Sequence, residues 1–91
     1  MEYKVLTLPL PEDVHGAVKQ LRDDRYLIAV NETLTKAEMD ATVGHELYHI
    51  THRHFDDPRP IQEIEAETEL AARPATNYRI GEWICITDIT E

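Results

Sequence analysis

His45, Glu46 and His49 stand in the pattern H-E-x-x-H within His45-Glu46-Leu47-Tyr48-His49. On a helix, side chains at i and i+4 lie one above the other, about 6 Å apart along the axis. Two imidazoles so placed can reach one metal ion from the same side, and zinc takes nitrogen ligands at about 2.0–2.1 Å. Glu46 follows the first histidine directly, so its carboxylate stands beside the ion rather than on it. There it can take a proton from water activated by the metal, the general-base role in zinc-dependent peptide hydrolysis.

Two histidines leave such a site incomplete, because a catalytic zinc takes three protein ligands and keeps one position open. The downstream candidates are His52, His54, Asp56, Asp57, Glu63, Glu65 and Glu67. His52 shares the face of His45 and His49 but lies roughly 10 Å along the axis from His45. A third histidine six residues past the second, as in the metzincin pattern, would replace Phe55. Glu63 and Glu67 are i, i+4 and share a face away from Ile61, Ile64 and Thr68. His52 and His54, with Arg53 and Arg59, read as solvated loop residues near the site. Tyr48 and Tyr78 are candidates for steadying an oxyanion or touching a substrate.

These side chains need a helix to carry them, and the sequence supplies its start. Thr35 with Glu38 three residues on forms a capping box, and Leu34 is the apolar residue before the cap. The helix is expected from about 36 to about 53, with Met39, Val43, Leu47 and Ile50 as one apolar stripe. His45 and His49 fall on a different arc, so one helix can pack on one side and hold a metal on another. Gly44 in mid-helix costs about 1 kcal/mol against alanine in propensity, which a close approach by a neighbouring element would explain.

Upstream, Glu2 to Leu10 alternates weakly and reads as a first strand ended by Pro9 and Pro11. His15 to Leu21, the polar turn Arg22-Asp23-Asp24-Arg25 and the strand Tyr26-Leu27-Ile28-Ala29-Val30 read as a β-hairpin. Downstream, Pro60 opens a second helix with Ile61, Ile64, Thr68 and Ala71 as its buried face, and Pro74 ends it. Arg79 to Thr87 reads as a last strand or an extended tail. The fold class expected is α+β: a short sheet of about three strands packed on two helices.

The 91 residues are expected to form one small domain, and 42% hydrophobic content is ordinary for a globular chain. No apolar run approaches the roughly 18 residues of a membrane span, and the start lacks the pattern of a signal peptide. Cys85, the one cysteine, forms no internal disulfide and fits a reducing cytoplasm. A net charge of −9 argues against nucleic acid as a partner.

The glutamate segment Glu63-Ile64-Glu65-Ala66-Glu67, downstream of H-E-x-x-H, resembles the gluzincin arrangement of Glu-x-x-Ala and a further acidic residue. The strand ending in Asn31, a short Leu-Thr linker and Thr-Val-Gly-His-Glu-Leu-Tyr-His-Ile are similar to the ImmA/IrrE metallopeptidases, here in a minimal, minigluzincin-sized form. The resemblance covers roughly residues 14 to 72. It implies a zincin-like domain in which His45, His49 and Glu63 hold Zn2+, Glu46 is the base and Glu67 supports a ligand histidine. The residues alone leave Glu65 and Glu67 open as third ligand, although Ile64, facing the core, would turn Glu65 elsewhere. The expected activity is hydrolysis of a peptide or protein substrate. A substrate strand would add alongside Tyr26–Val30, with Asn31 in contact. The resemblance also implies a regulatory substrate such as a transcriptional repressor, in phage or mobile-element settings. The rival expectation is a zinc-containing regulatory domain that binds a partner protein without cleaving it.

Overall fold

The computed structural model describes residues 1–22 and 24–86. Asp23 of the hairpin turn and Thr87 at the end of the expected last strand lie outside the described residues. Four strands and two helices follow in the order β1 (Glu2–Leu8), β2 (Gly16–Arg22), β3 (Arg25–Asn31), α1 (Lys36–Thr51), α2 (Ile61–Ala71) and β4 (Trp83–Cys85), with a short 3-10 turn at His54–Asp56. This is a small α+β domain, as expected, with one strand more than the three anticipated.

The sheet runs β2-β3-β1-β4. β2 and β3 form the expected antiparallel hairpin, and β3 then lies parallel to β1, pairing Tyr3 with Tyr26 and Val5 with Ile28. Side chains alternate across a strand, so this register puts Tyr3, Val5, Tyr26, Ile28 and Val30 on one face. All five are buried there, against Val43 and Ile50 of α1. Met39 and Leu47, the rest of the apolar stripe, pack half-buried on the same core. β3 is therefore an inner strand. The expectation that Tyr26–Val30 offers a free edge is corrected: its two sides are taken by β2 and β1, and the edges are β2 and β4.

α1 begins where the capping box predicts. The Thr35 hydroxyl accepts from the Glu38 amide at 3.2 Å, and the Glu38 carboxylate accepts from the Thr35 amide at 2.8 Å. Gly44 has the close neighbour its position required: an added Cβ would sit 1.8 Å from the Arg73 carbonyl oxygen. The segment after α2 crosses α1 there and is tied to it by the Ala75 amide, which donates to the Asp40 carbonyl at 2.9 Å. α2 buries only Ile64 and Thr68. Ile61, expected on the buried face, is 74% exposed, and Ala71 is exposed as well.

Candidate metal centre

His45 and His49 leave α1 on the face turned toward α2, with their Nε2 atoms 3.2 Å apart. The carboxylate that meets them is that of Glu65. One of its oxygens lies 3.1 Å from His45 Nε2 and the other 3.0 Å from His49 Nε2. Glu63 is exposed and lies outside the cluster of possible metal-holding side chains, which is His45, His49 and Glu65. The reason is helical geometry. Ile64 is the residue α2 buries, Glu63 and Glu65 flank it at about 100° on either side, and α2 crosses α1 so that the Glu65 flank faces the histidines.

The donor set fits zinc. A tetrahedral ion with arms of about 2.0–2.1 Å holds its ligand atoms about 3.3–3.4 Å apart; the two Nε2 atoms are 3.2 Å apart, and each has its own Glu65 oxygen at 3.0 or 3.1 Å. Two imidazole nitrogens and a carboxylate facing one point are three acceptors if both rings are neutral, and a cation satisfies all of them.

Glu46 lies beside this triangle, 8% exposed. Burial pushes its carboxyl above the usual range, the charge of Glu65 adds to that, and His45 opposes it. Burial likewise holds the His49 imidazole below its ordinary value, favouring the neutral ring a metal needs.

Glu67, expected to support a ligand histidine, reaches His49 only through His54. His54, expected in solvent, is buried, with its Nδ1 2.8 Å from His49 Nδ1 and its Nε2 3.3 Å from a Glu67 oxygen. The Tyr48 hydroxyl donates to the same oxygen at 2.8 Å, and Arg59 pairs with the other at 2.9 Å. Arg59 also grips Asp57 through its Nε and Nη2. Thus Arg59 and His54 belong to a buried-to-surface polar cluster, while His52 stays exposed, stacked on Tyr48 at 3.8 Å. The chain reaches this arrangement because Arg53 turns it at a positive φ of 54°. The sequence carries no glycine there to announce the reversal.

Three expected substrate contacts are placed otherwise. Asn31 is 1% exposed. Its Nδ2 meets the carbonyls of Leu10, Pro11 and Val14 at 2.9 to 3.2 Å, and its Oδ1 accepts from Thr33. It anchors the turn before β2 instead of reaching a ligand. Tyr48 spends its hydroxyl on Glu67, as above. Tyr78 donates to Asp40 at 2.7 Å, at the start of α1 and away from the histidines; burial first, then Asp40, pushes its hydroxyl far above the usual range.

The cleft at the centre is walled on one side by β2. Around Glu46 and His45 it is a hollow of about 520 Å³, reaching Gly16, Thr42 and the acidic side chains Asp13, Glu38 and Glu69. Beside His49 lies a separate apolar hollow of about 260 Å³, with Val18, Phe55, Ile61 and Ile64 around it. The Asn31 amide bonds the His15 carbonyl, so by antiparallel parity Ala17 and Lys19 also face β3, and Gly16 and Val18 turn their backbone polar groups outward.

A sheet walled by one H-E-x-x-H helix, with a glutamate from a second helix closing the site, defines a small zincin-like domain. The IrrE N-terminal-like domain model, Peptidase_M78, matches residues 2–86, and the chain belongs to that family. No curated protein and no solved structure matches it. The family is metallopeptidase-like and zinc-dependent in general. Among the described residues, no helix is long and apolar enough to cross a membrane.

Proposed function

We propose that this domain is a zinc-dependent peptidase in which His45, His49 and Glu65 hold the ion and Glu46 handles the proton. The observation that carries this reading is the triangle of two Nε2 atoms and the Glu65 carboxylate, with the buried Glu46 carboxyl beside it. Zinc bound there would polarise the scissile carbonyl and make water a nucleophile near neutral pH. Glu46 accepts a proton from the attacking water and passes it to the departing amine. The raised affinity of Glu46 for a proton suits both halves of that task. An extended peptide adds to the β2 edge, taking hydrogen bonds from Gly16 and Val18. One of its side chains then enters the apolar hollow by Phe55 and Ile61. We further propose a regulatory protein as substrate, such as a transcriptional repressor in a phage or mobile-element setting, as the resemblance to the ImmA/IrrE metallopeptidases implies. A single exposed cysteine, Cys85, suits a reducing cytoplasm.

The test is a pair of substitutions assayed on a library of unstructured peptides, with new termini read by mass spectrometry. Glu46→Gln should keep about one zinc per chain and lose cleavage, whereas His49→Ala should lose zinc and stability together. Cleavage by Glu46→Gln at the wild-type rate would remove Glu46 from the reaction. A stable stoichiometric complex with an intact partner, and no fragments from wild type, would favour the non-cleaving regulator instead.

A further inference from the structure

A ligand histidine has two ring nitrogens, and the one that does not face the metal decides which way the other presents its lone pair. In gluzincin-like sites a carboxylate can do this directly, but here a second imidazole stands between. His49 Nδ1 faces His54 Nδ1 at 2.8 Å, and His54 Nε2 faces Glu67 at 3.3 Å. Proton placement along this row follows from its far end. Arg59 bonds one Glu67 oxygen and Tyr48 donates to the other, so Glu67 accepts only and stays ionised. Facing that charge, His54 carries its proton on Nε2. A neutral ring then has only a lone pair on Nδ1, so His49 must donate from its own Nδ1. The His49 Nε2 lone pair is thereby aimed at the point shared with His45 and Glu65.

We propose that His54 is a positioning residue that fixes the tautomer and ring plane of His49 for zinc, relaying the charge of Glu67. His54 has this role only if zinc is held as proposed above. The side chain is well placed for it: 4% exposed, and held edge-on to the His49 ring at 5.0 Å between centroids.

The experiment compares His54→Phe and His54→Asn with wild type in the full chain. Zinc affinity is measured by competition with a chromophoric chelator, and ring nitrogen shifts of the zinc-bound chain by 15N NMR. Phe keeps the ring volume and offers His49 no acceptor. Asn places its Oδ1 near the Nδ1 position and restores one. His54→Phe should weaken zinc binding about 10–100-fold, the usual loss when the partner of a ligand is removed, and His54→Asn should recover most of that loss. Circular-dichroism melts check that both variants fold. In zinc-bound wild type, His49 should carry its proton on Nδ1 and His54 on Nε2 alone. Unchanged affinity in His54→Phe, or equal losses in Phe and Asn, would leave His54 as packing only. Complete loss equal to that of His49→Ala would make His54 a ligand and overturn the relay. A His54 that is doubly protonated, or protonated on Nδ1, in the zinc-bound chain would overturn it. Failure of wild type to bind zinc would sink the peptidase reading, whereas zinc binding unaffected by His54→Phe would sink the relay alone.

Discussion

Glu65→Ala and Glu63→Ala separate two glutamates that differ by a half-turn around Ile64, and only one should matter to zinc. The Glu65 carboxylate lies 3.0 and 3.1 Å from the two Nε2 atoms, whereas Glu63 faces solvent. Removing a group that merely orients a ligand costs about 10–100-fold in affinity. Removing a ligand should therefore raise the zinc Kd by about 100-fold or more. With free zinc at 100 times the wild-type Kd, the metal stabilises the fold by about 2.7 kcal/mol. A 100-fold weaker site retains only about 0.4 kcal/mol under the same conditions, a loss of about 2.3 kcal/mol. For a domain of this size that is a fall of roughly 9–18 °C in the zinc-bound melting temperature. In chelator the difference should shrink to about 1 kcal/mol or less, the worth of contacts from a half-exposed Glu65 to His45 and His49. Differential scanning calorimetry with and without zinc reads both numbers. A zinc-dependent drop in Glu63→Ala, with Glu65→Ala behaving as wild type, would refute the assigned triangle.

Gly44→Ala should destabilise by about 2 kcal/mol or more in urea titration. Helix propensity alone would reward alanine by about 1 kcal/mol, but the new Cβ meets the Arg73 carbonyl at 1.8 Å, and backbone must move. A gain in stability would show that the segment after α2 yields freely. Asn31→Ala strips the donor shared by three turn carbonyls, and should lower stability by about 1–3 kcal/mol in all. Its zinc stoichiometry should stay that of wild type; an unchanged melting temperature with lost cleavage would instead restore Asn31 as a substrate contact. Asp57 is held down to about 2, first by the Arg59 side chain and then by its amide. Because the folded value lies below the unfolded one of about 3.9, its contribution is complete above roughly pH 4 and lost as pH falls through about 2. The melting-temperature gap between wild type and Asp57→Asn should close over that window, and a gap persisting at lower pH would contradict the sign.

What the sequence disclosed was mostly local. The capping box at Thr35 and Glu38, the stripe through Val43 and Ile50, and the H-E-x-x-H spacing all lie within one helix, where 3.6-residue periodicity is a sufficient guide. The β2–β3 hairpin was legible for the same reason, as two β-rich runs around a polar turn. The sheet order was not, because β1 pairs with β3 across an intervening strand, and alternation gives a strand's faces without naming its neighbours. So Tyr26–Val30, the strongest strand signal, was read as an edge when its apolar content reflects a central place. Glu63 against Glu65 failed similarly. Periodicity shows that Ile64 points inward, but the flank that meets the histidines depends on how α2 crosses α1. His54 needed knowledge of a reversal at Arg53, a non-glycine residue in the left-handed region, and no turn signature marks it.

The two helices hold their parts of the site by different physics. α1 is fixed on three sides: its apolar stripe lies on the sheet, Gly44 is locked against the Arg73–Pro74 backbone, and Thr35 caps its start. The two imidazoles therefore stand on a rigid platform. α2 buries only Ile64 and Thr68, and Leu70 is 82% exposed, so apolar packing alone holds it weakly. Its remaining ties to α1 are polar, running through Glu65 to His45 and His49 and through Glu67 to Tyr48, His54 and Arg59. Charged hydrogen bonds are directional where apolar contact is not, which is how a helix with so little buried surface can still place a carboxylate within ligand reach. Zinc joining α1 to Glu65 would then be a main fastening of α2 as well.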